Sequence, residues 1–379
     1  MAEARITEVV PRSGLLCYCR AGFESDLAAE LTDRAAALGI VDGHVQAARD
    51  AGFVQFHCGN ESAQRLIDDS EHLIFARQRL SLLAELRHLP TTDRIGPIRD
   101  WLQAHPPQRP SGQVWVEHPD SDAGKPLSAL ARGLENALRG ALRRDGLLTA
   151  RDDTAASRLH LTLLAGDHVV LSQSDPASAS AWPMGIPRLK MHAQAPSRSA
   201  LKLEEALLVL LDDGQRQRCL RAGMQAADLG AAPGGWTWVL TRHGLRVTAI
   251  DNGPLDAGLL ASGLVRHARA DGFRWQPPQP LDWMVCDMVE QPIRVAERMA
   301  QWFAHGWCRH AIFNLKLPMK KRWQETRRCL QHIHASGADD WILRARQLYH
   351  DREEITVFAT RAYAPSRAFS SSMAVLTRA

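Results

Sequence analysis

The second half of the chain predicts a doubly wound α/β sheet and the first half an α+β assembly, on three observations. The stretch 225–239, QAADLGAAPGGWTWV, runs from a short apolar strand (Ala226, Ala227, Leu229) through a glycine-rich turn into a helix that starts at Trp236. Strand, glycine turn and helix open a doubly wound domain, whose ligands sit at the carboxyl ends of its strands. Downstream, apolar strands at 246–251, 281–288 and 310–317 each carry a charged residue near their end: Asp251, Asp287 and Lys316. Upstream, short strands alternate with amphipathic helices in the order βαββαβ, a ferredoxin-like arrangement.

The 379 residues allow two or three domains with sizeable cores. A hydrophobic content of 45% with 23% charged residues matches an ordinary soluble protein. The seven cysteines are scattered without a C-x-x-C pair, which argues against zinc or disulfide frameworks and for a reducing cytoplasm. The start, MAEARITEVVPRSG, lacks the apolar core of a signal peptide, and no run of about 18 apolar residues follows. A soluble, cytoplasmic protein without metal or membrane partners is therefore expected. The net charge of +4 permits nucleic-acid binding without showing it, because clustering matters more than the total.

In order along the chain, 14–20 predict a strand and 23–38 a helix, with Leu27, Ala28, Leu31, Ala35 and Leu38 on one side. Residues 44–58 predict a hairpin across Asp50-Ala51-Gly52, 61–69 a short helix and 73–86 an extended segment. The first dozen residues read as an extra tail. Beyond Pro90, 93–104 predict a helix, 113–117 a strand and 126–147 a long amphipathic helix. A hairpin then joins 160–164 to 168–172. The long helix carries Arg132, Arg139, Arg143 and Arg144 after Lys125, which reads either as a solvated face or as a surface that grips RNA phosphates without reading sequence. Residues 174–199, rich in Pro, Ser and Ala, read as a linker in which Arg188, Lys190 and Arg198 are solvent-exposed or line an RNA path. Ser199 is placed to cap the helix 200–211. Lys202 lies in the first turn of that helix, where the helix dipole disfavours a cation, so it is a candidate for a functional role.

The turn reads D-x-G-x-x-P-G-G, unlike a dinucleotide fingerprint or a triphosphate loop. Asp228 beside the turn repels pyrophosphate but suits a cation such as the amino end of S-adenosylmethionine, while the glycines let backbone N–H groups approach that ligand's carboxylate. Asp251 falls about 20 residues on, where a carboxylate meets ribose hydroxyls. Asp271, at the expected end of a third strand, would flank the adenine or simply start a loop. Helices at 292–305 and 322–335 and strands at 341–348 and 354–362 complete a sheet of six or seven strands that closes with an antiparallel hairpin.

Lys202, Asp287, Lys316 and Glu354 are distant in sequence but converge if these strand ends meet at the switch point. Two lysines and two carboxylates suit removal of a proton from a ribose hydroxyl. A free lysine, with pKa about 10.4, is mostly charged at neutral pH. A second ammonium and partial desolvation would lower one lysine's pKa and leave a neutral amine as general base.

The string Asp-Leu-Gly-Ala-Ala-Pro-Gly-Gly-Trp resembles the cofactor motif of FtsJ-type ribose methyltransferases. With MGIPRLK, APSRSALKLEEA, IDNGP, WMVCDMVE, IFNLKLPMKK, QLYHDREE, CR-x-GFE and LIFARQ, the chain resembles the bacterial RlmM family. That resemblance implies a Rossmann-like class I methyltransferase domain at 200–379, a linker at 174–199, a ferredoxin-like domain at 1–86 and a THUMP RNA-binding domain at 87–173. It also implies S-adenosylmethionine-dependent methylation of the ribose 2′-oxygen of a cytidine in the peptidyl-transferase region of 23S rRNA.

Carried onto this sequence, the family's Lys-Asp-Lys-Glu tetrad becomes Lys202, Asp287, Lys316 and Glu354, with Lys316 as proton acceptor. Lys202 would lower its pKa, Asp287 orient the amine and Glu354 support substrate and base. Cofactor contacts are implied at Ser199, Asp228, Gly230, Ala232, Pro233, Gly234, Gly235, Asp251, Asp271 and Asp287. The sequence departs from the pattern at Ala232, where a relative has cysteine, a position expected to offer only backbone. Lys320, Lys321, Arg322, Arg327 and Arg328 form a basic cluster expected to face phosphate.

Base methylation is the nearest rival. The strand end Asp287-Met-Val-Glu lacks the Asp/Asn-Pro-Pro-Tyr/Phe form used on exocyclic amines, and Cys286 alternates to the strand face away from Asp287. An RNA-binding ribosome-assembly factor with an inactive methyltransferase fold is the other alternative, and the intact tetrad argues against it. The expected partner is 23S rRNA, not DNA, and the expected state is a monomer.

Overall fold

The computed structural model describes residues 7–69, 73–336 and 340–361. The first half contains β1 (Glu8–Pro11), β2 (Gly14–Tyr18), α1 (Glu24–Ala37), β3 (His44–Ala47), β4 (Phe53–His57), α2 (Asn60–Asp68) and β5 (Gln78–Arg87). It continues with α3 (Ile95–Ala104), β6 (Gln113–Glu117), α4 (Ser128–Arg144), β7 (Arg158–Ala165) and β8 (His168–Ser174). These strands form one sheet, ordered β3-β4-β2-β5-β8-β7-β6, with β1 also on β5.

The ferredoxin-like set β2 to β5 keeps the order its connections demand, and β5 serves two neighbours in turn. Gln78–Ser81 pair with β2, and Ser81–Leu86 pair with β8. Residues 8–11 are a strand rather than part of a tail. They pair with Ala84–Arg87 at the end of β5, and Arg12 just beyond donates to Glu85 at 2.8 and 3.0 Å. On α4, Ala131, Leu134, Leu138, Ala141 and Leu142 recur at helical spacing and are buried against the sheet. The opposite face, made by Leu16, Tyr18, Leu80, Leu82 and Val170, is covered by Met184 and Ile186 from the irregular stretch after β8. A short turn of 3-10 helix at Pro183–Gly185 sets this contact, and the Met184 N–H donates to buried Glu117.

The second half is built from α5 (Ala200–Leu210), α6 (Asp213–Cys219), β9 (Gln225–Leu229), α7 (Gly235–Arg242), β10 (Arg246–Ile250), α8 (Ala257–Ala261) and β11 (Val265–Ala268). β12 (Leu281–Cys286), α9 (Pro292–Ala304), β13 (Cys308–Lys316), α10 (Arg322–Ala335), β14 (Trp341–Arg346) and β15 (Glu354–Arg361) complete it. Its sheet is ordered β11-β10-β9-β12-β13-β15-β14. The five strands β9 to β13 run parallel, and β15 is antiparallel to both its neighbours. Strand order therefore reverses between β9 and β12, and a crevice opens there at the carboxyl ends.

Helices α6 and α8 escaped the sequence reading, although each has a cap. Asp212 and Gln215 form a reciprocal capping box on α6, and Asp256 accepts from the Leu259 N–H on α8. Their brevity hid them from a periodicity search. The third strand ends at Ala268, short of the expected Asp271, whose carboxylate instead accepts from the Phe273 N–H at 2.9 Å in a loop.

The two halves are joined by buried polar contacts. Arg346 is half-buried and donates to the carbonyls of Leu73 and Ala76, and the Gln347 N–H donates to Ile74 O at 2.8 Å. Arg322 bonds Asp26 at 3.1 Å and Glu353 at 2.6 Å and lies 4.2 Å from the centre of the Phe23 ring. Arg327 pairs with Asp33 at 2.6 Å. The expected phosphate-facing cluster at 320–328 is thus corrected in part: Arg322 and Arg327 tie α10 to α1, and Lys320 and Lys321 stay exposed. No described helix is long and apolar enough to cross a membrane, and no three described metal-ligating side chains cluster.

Replacing Arg322 by Ala should remove the arginine donor from the buried Asp26 carboxylate and lower unfolding free energy by about 1–3 kcal/mol. A calorimetric scan with an unchanged midpoint would show that the junction does not depend on this side chain.

A lysine–carboxylate candidate active site

The site is assembled at the switch point by three strand ends and one helix. Asp287 follows β12, Lys316 ends β13, and Glu354 begins β15 directly across from Lys316 in the antiparallel register. Lys202 reaches in from the first turn of α5, whose buried Ala200, Leu201, Leu203, Ala206 and Leu207 press it onto the domain. The expected Ser199 cap is not formed, because Ser199 already has helical dihedrals and its hydroxyl bonds that of Ser197 at 2.6 Å.

α5 starts this close to the glycine turn because Gly235 has no side chain. A Cβ there would lie 2.3 Å from Ser199 Oγ and 2.4 Å from Ser197 Oγ. The Trp236 indole N–H then donates to the Ser199 carbonyl at 3.0 Å and ties turn to helix. Gly234 sits at the helix start with φ near 117° and Gly230 at φ 78°, both conformations that favour glycine. The turn is held to β10, since the Gly230 and Ala231 N–H groups donate to the Ile250 carbonyl.

The sequence-derived tetrad comes together. Lys316 Nζ donates to Asp287 Oδ1 at 2.7 Å and to Glu354 Oε2. Lys202 Nζ contacts the other oxygen of each acid, Asp287 Oδ2 at 3.2 Å and Glu354 Oε1 at 2.5 Å. Each carboxylate therefore bridges two ammonium groups, which resolves the unfavourable placement of Lys202 at a helix start. The expected lowering of the lysine pKa is corrected. Burial does work against the charge on Lys316, but Asp287 and Glu354 outweigh it and hold its pKa above the ordinary lysine value.

Other expected residues surround the crevice. Asp228 is buried beneath the turn and accepts from the Thr237 hydroxyl at 2.6 Å, and burial pushes its pKa up to about 7. Asp251 accepts from the Ala232 N–H at 3.0 Å and the Gly253 N–H at 2.7 Å. The Ala232 backbone donor is thus already bonded within the protein. The Pro233 carbonyl accepts from the Asp256 N–H, and Asp271 is exposed at the rim. Sequence reasoning missed Met288, which fills the space over two glycines. A Cβ at Gly230 would meet Met288 Cγ at 2.6 Å, and one at Gly272 would meet Met288 Sδ at 2.8 Å.

It also missed the supports of Glu354. Buried Glu205, on α5, accepts from the Tyr349 N–H at 2.8 Å and the His350 N–H at 2.9 Å, so the helix that carries Lys202 also fixes the loop before β15. Arg20 of the first half donates to the Asp351 carbonyl of the same loop at 2.9 Å. Cys286 is fully buried, and burial pushes its thiol up to about 12. It is packed in the core and unfit as a nucleophile.

This fold and site define an FtsJ-like methyltransferase, and the family model of that description matches residues 195–312. Models of the RlmM ferredoxin-like domain and of the N-terminal region of ribosomal RNA large subunit methyltransferase M match 12–80 and 93–175. The chain belongs to the ribosomal RNA large subunit methyltransferase M family. It is 59% identical over 349 residues to the member from Xanthomonas campestris pv. campestris (strain B100), covering 92% of this chain and 99% of that one. The member from Xanthomonas oryzae pv. oryzae (strain MAFF 311018) is 59% identical over 350 residues, with the same coverage of 92% and 99%. Among solved structures, SMU.472, a putative methyltransferase complexed with SAH, aligns over 94% of this chain and 100% of its own at 12% identity and TM-score 0.36.

Adding a methyl at Gly235 (Gly235→Ala) should push the start of α5 away from the turn and lower stability by about 1–3 kcal/mol through overpacking. Replacing both Ser197 and Ser199 by Ala in that background should recover much of the loss. Equal thermal midpoints for Gly235→Ala and the parent protein would refute the close approach.

Proposed function

We propose that this chain methylates the ribose 2′-oxygen of a cytidine in the peptidyl-transferase region of 23S rRNA, with Lys316 as the proton acceptor. The observation that carries the reading is the double bridging of Lys202 and Lys316 by Asp287 and Glu354 beside the glycine turn. Among the described residues it gathers two amines and two carboxylates where ligands of this fold bind, with no thiol available for attack on a base carbon.

The residues around the turn fit S-adenosylmethionine, which supplies an electrophilic methyl when bound. Glycines 230, 234 and 235 keep the turn itself free of side chains, so that Met288, Leu259 and Ser199 pack directly on its backbone and hold its shape beside the crevice. Ser199, Ala232 and Pro233 shape the turn, Asp251 and Asp271 lie along its rim, and Asp228 adds negative potential from below as it ionises near neutral pH. Asp287 belongs both to this cradle and to the tetrad.

Lys316 accepts the hydroxyl proton only as a neutral amine. Its raised pKa makes that form scarce at neutral pH but a better acceptor for a weak acid such as a sugar hydroxyl. Lys202 balances the carboxylate left facing it when Lys316 is neutral. Holding the hydroxyl against this amine can itself lower the barrier, by about 7–11 kcal/mol in favourable cases. The ferredoxin-like domain at 1–86 and the THUMP domain at 87–173 serve to grip the RNA, with the linker at 174–199 and the catalytic domain at 200–379, in a cytoplasmic monomer. Exposed Arg132, Arg144, Arg188, Lys190 and Arg198 supply phosphate contacts along that route.

Deleting the gene should remove one ribose methylation from 23S rRNA, read by mass mapping, and Lys316→Ala should fail to restore it while retaining RNA and cofactor binding. An unchanged methylation map, or full activity of Lys316→Ala, would end this reading.

The raised lysine pKa also fixes the direction of the pH dependence. The neutral fraction grows about tenfold per pH unit below the pKa, so single-turnover rates should climb from about pH 7 to about pH 9. Glu354→Gln removes one charge that holds the proton, so its rising limb should begin at lower pH even though its maximal rate falls. A limb that stays in place would show that Lys316 is not the titrating group.

A further inference from the structure

Behind the tetrad lies a buried chain of polar side chains that ordinary core packing does not require. Asn314 and Thr356 face each other across β13 and β15, two pairs further into the sheet than Lys316 and Glu354, and on the same face because strand residues two apart share a side. Asn314, Thr356 and Asp351 are all fully buried. Asn314 Nδ2 donates to Asp287 Oδ1 at 2.9 Å and to Glu354 Oε2 at 3.5 Å. These are the same two oxygens that Lys316 contacts, whereas Lys202 lies closer to the other oxygen of each acid, at 3.2 Å from Asp287 Oδ2 against 3.5 Å from Oδ1.

The geometry points to Asn314, anchored by Thr356, as a positioning residue that holds Asp287 and Glu354 in place while Lys316 is uncharged. The inference rests on Lys316 being the proton acceptor. In the catalytic cycle Lys316 changes charge by one, but the amide of Asn314 is neutral and bonds the two carboxylates in both states. It thereby limits their repulsion and weakens their hold on the lysine proton, because a carboxylate oxygen that already accepts one hydrogen bond attracts a second donor less strongly.

The proton inventory of the chain fixes its direction. With both amide hydrogens turned to carboxylates, Asn314 Oδ1 must accept, and Thr356 Oγ1 lies 2.8 Å from it. The hydroxyl has one proton, which is then committed to Asn314. Asp351 Oδ2, 3.0 Å from the same hydroxyl, makes a hydrogen bond only if it carries a proton of its own. Full burial favours that neutral form, as does the nearby negative charge of Glu354 and Glu205; Oδ2 also accepts from the Leu348 N–H at 3.0 Å, and Oδ1 is buried without a hydrogen-bond partner, as suits an uncharged carboxyl better than a carboxylate. The groups facing the chain are therefore Lys202, Lys316, Asp287 and Glu354 in front and Glu205 behind. Arg20 reaches only the backbone carbonyl of Asp351.

The test uses the full chain, 23S rRNA from cells lacking the protein, and single-turnover methyl transfer against pH. Thr356→Val keeps the side-chain volume but frees the amide of Asn314. Thr356→Ser keeps the hydroxyl. Asn314→Ala removes the donor outright. Losing the donor should strengthen the carboxylates' hold on the Lys316 proton and move the rising limb of Asn314→Ala up by about one pH unit, a rate about tenfold lower at pH 7. Thr356→Val should shift it the same way and Thr356→Ser should return it, with RNA and cofactor dissociation constants unchanged throughout. Limbs that coincide with the parent protein, in Asn314→Ala or in a folded Thr356→Val, would overturn the proposal. If Lys316→Ala is inactive in the same assay while those limbs coincide, only the positioning role falls; if Lys316→Ala is active, the base assignment falls with it.

Discussion

The register between β13 and β15 is the constraint on which the site depends. In a parallel sheet every strand reaches the ligand side with its carboxyl end, so neighbouring strands can offer only their last residues there. A strand inserted in the opposite direction offers its first. Because β15 runs antiparallel to β13, Glu354 at its start lies opposite Lys316 at the end of β13, and Thr356 opposite Asn314. A slip of one residue would turn Glu354 to the other face and dissolve the tetrad, since side chains alternate along a strand. The buried apolar residues Ile355 and Val357, on the alternate face, hold the register from below.

This register also explains how four charges survive partial burial. An isolated ammonium at this depth would lose its proton, and an isolated carboxylate would gain one. Here two cations and two anions alternate around a ring with no net charge, and each acid oxygen has a donor. The ring closes only if α5 is near enough for Lys202 to reach β15, and that depends on Gly235 being bare. Glu205 then holds the loop before Glu354 from the same helix. One element thus sets both the second lysine and the position of the last carboxylate.

The glycine turn, Asp287 and Lys316 were legible in the sequence because each sits at the end of an apolar run, whereas Lys202 stood out as a cation in the first turn of a helix and the set of four was drawn together by the family resemblance. What escaped was anything whose meaning lies across the sheet. Asn314 reads as a polar blemish in IFNLKL and Thr356 as an ordinary β-branched strand residue, until the antiparallel pairing places them together. A signal for both was present in the alternation, two residues from Lys316 and from Glu354. Asp351 and Glu205 carry no such signal, since their partners are backbone groups, a hydroxyl and the His350 ring, all brought to them only by the fold. The direction of the Lys316 pKa was misjudged for a related reason: sequence shows that a second lysine exists, but not that two carboxylates lie closer to the amine than it does.

Basic residues show the same limit from the other side. Lys320 to Arg328 look like one positive patch in sequence, yet the acids that answer Arg322 and Arg327 are Asp26 and Asp33, almost three hundred residues earlier. Arg139 and Arg143 on α4 are likewise answered by Glu135 and Asp152. Charge already matched within the protein attracts a polyanion weakly, because binding must first break a pair or leave the acid facing phosphate. The basic surface left free for a polyanion is therefore smaller than the count of arginines suggests; Arg132, Arg144, Arg188, Lys190, Arg198, Lys320 and Lys321 are exposed and form no ion pair among the described residues. The last two lie four and five residues beyond Lys316. The paired arginines Arg322 and Arg327 instead hold α10 against α1 of the first half, and Arg322 also bonds Glu353, the residue just before β15.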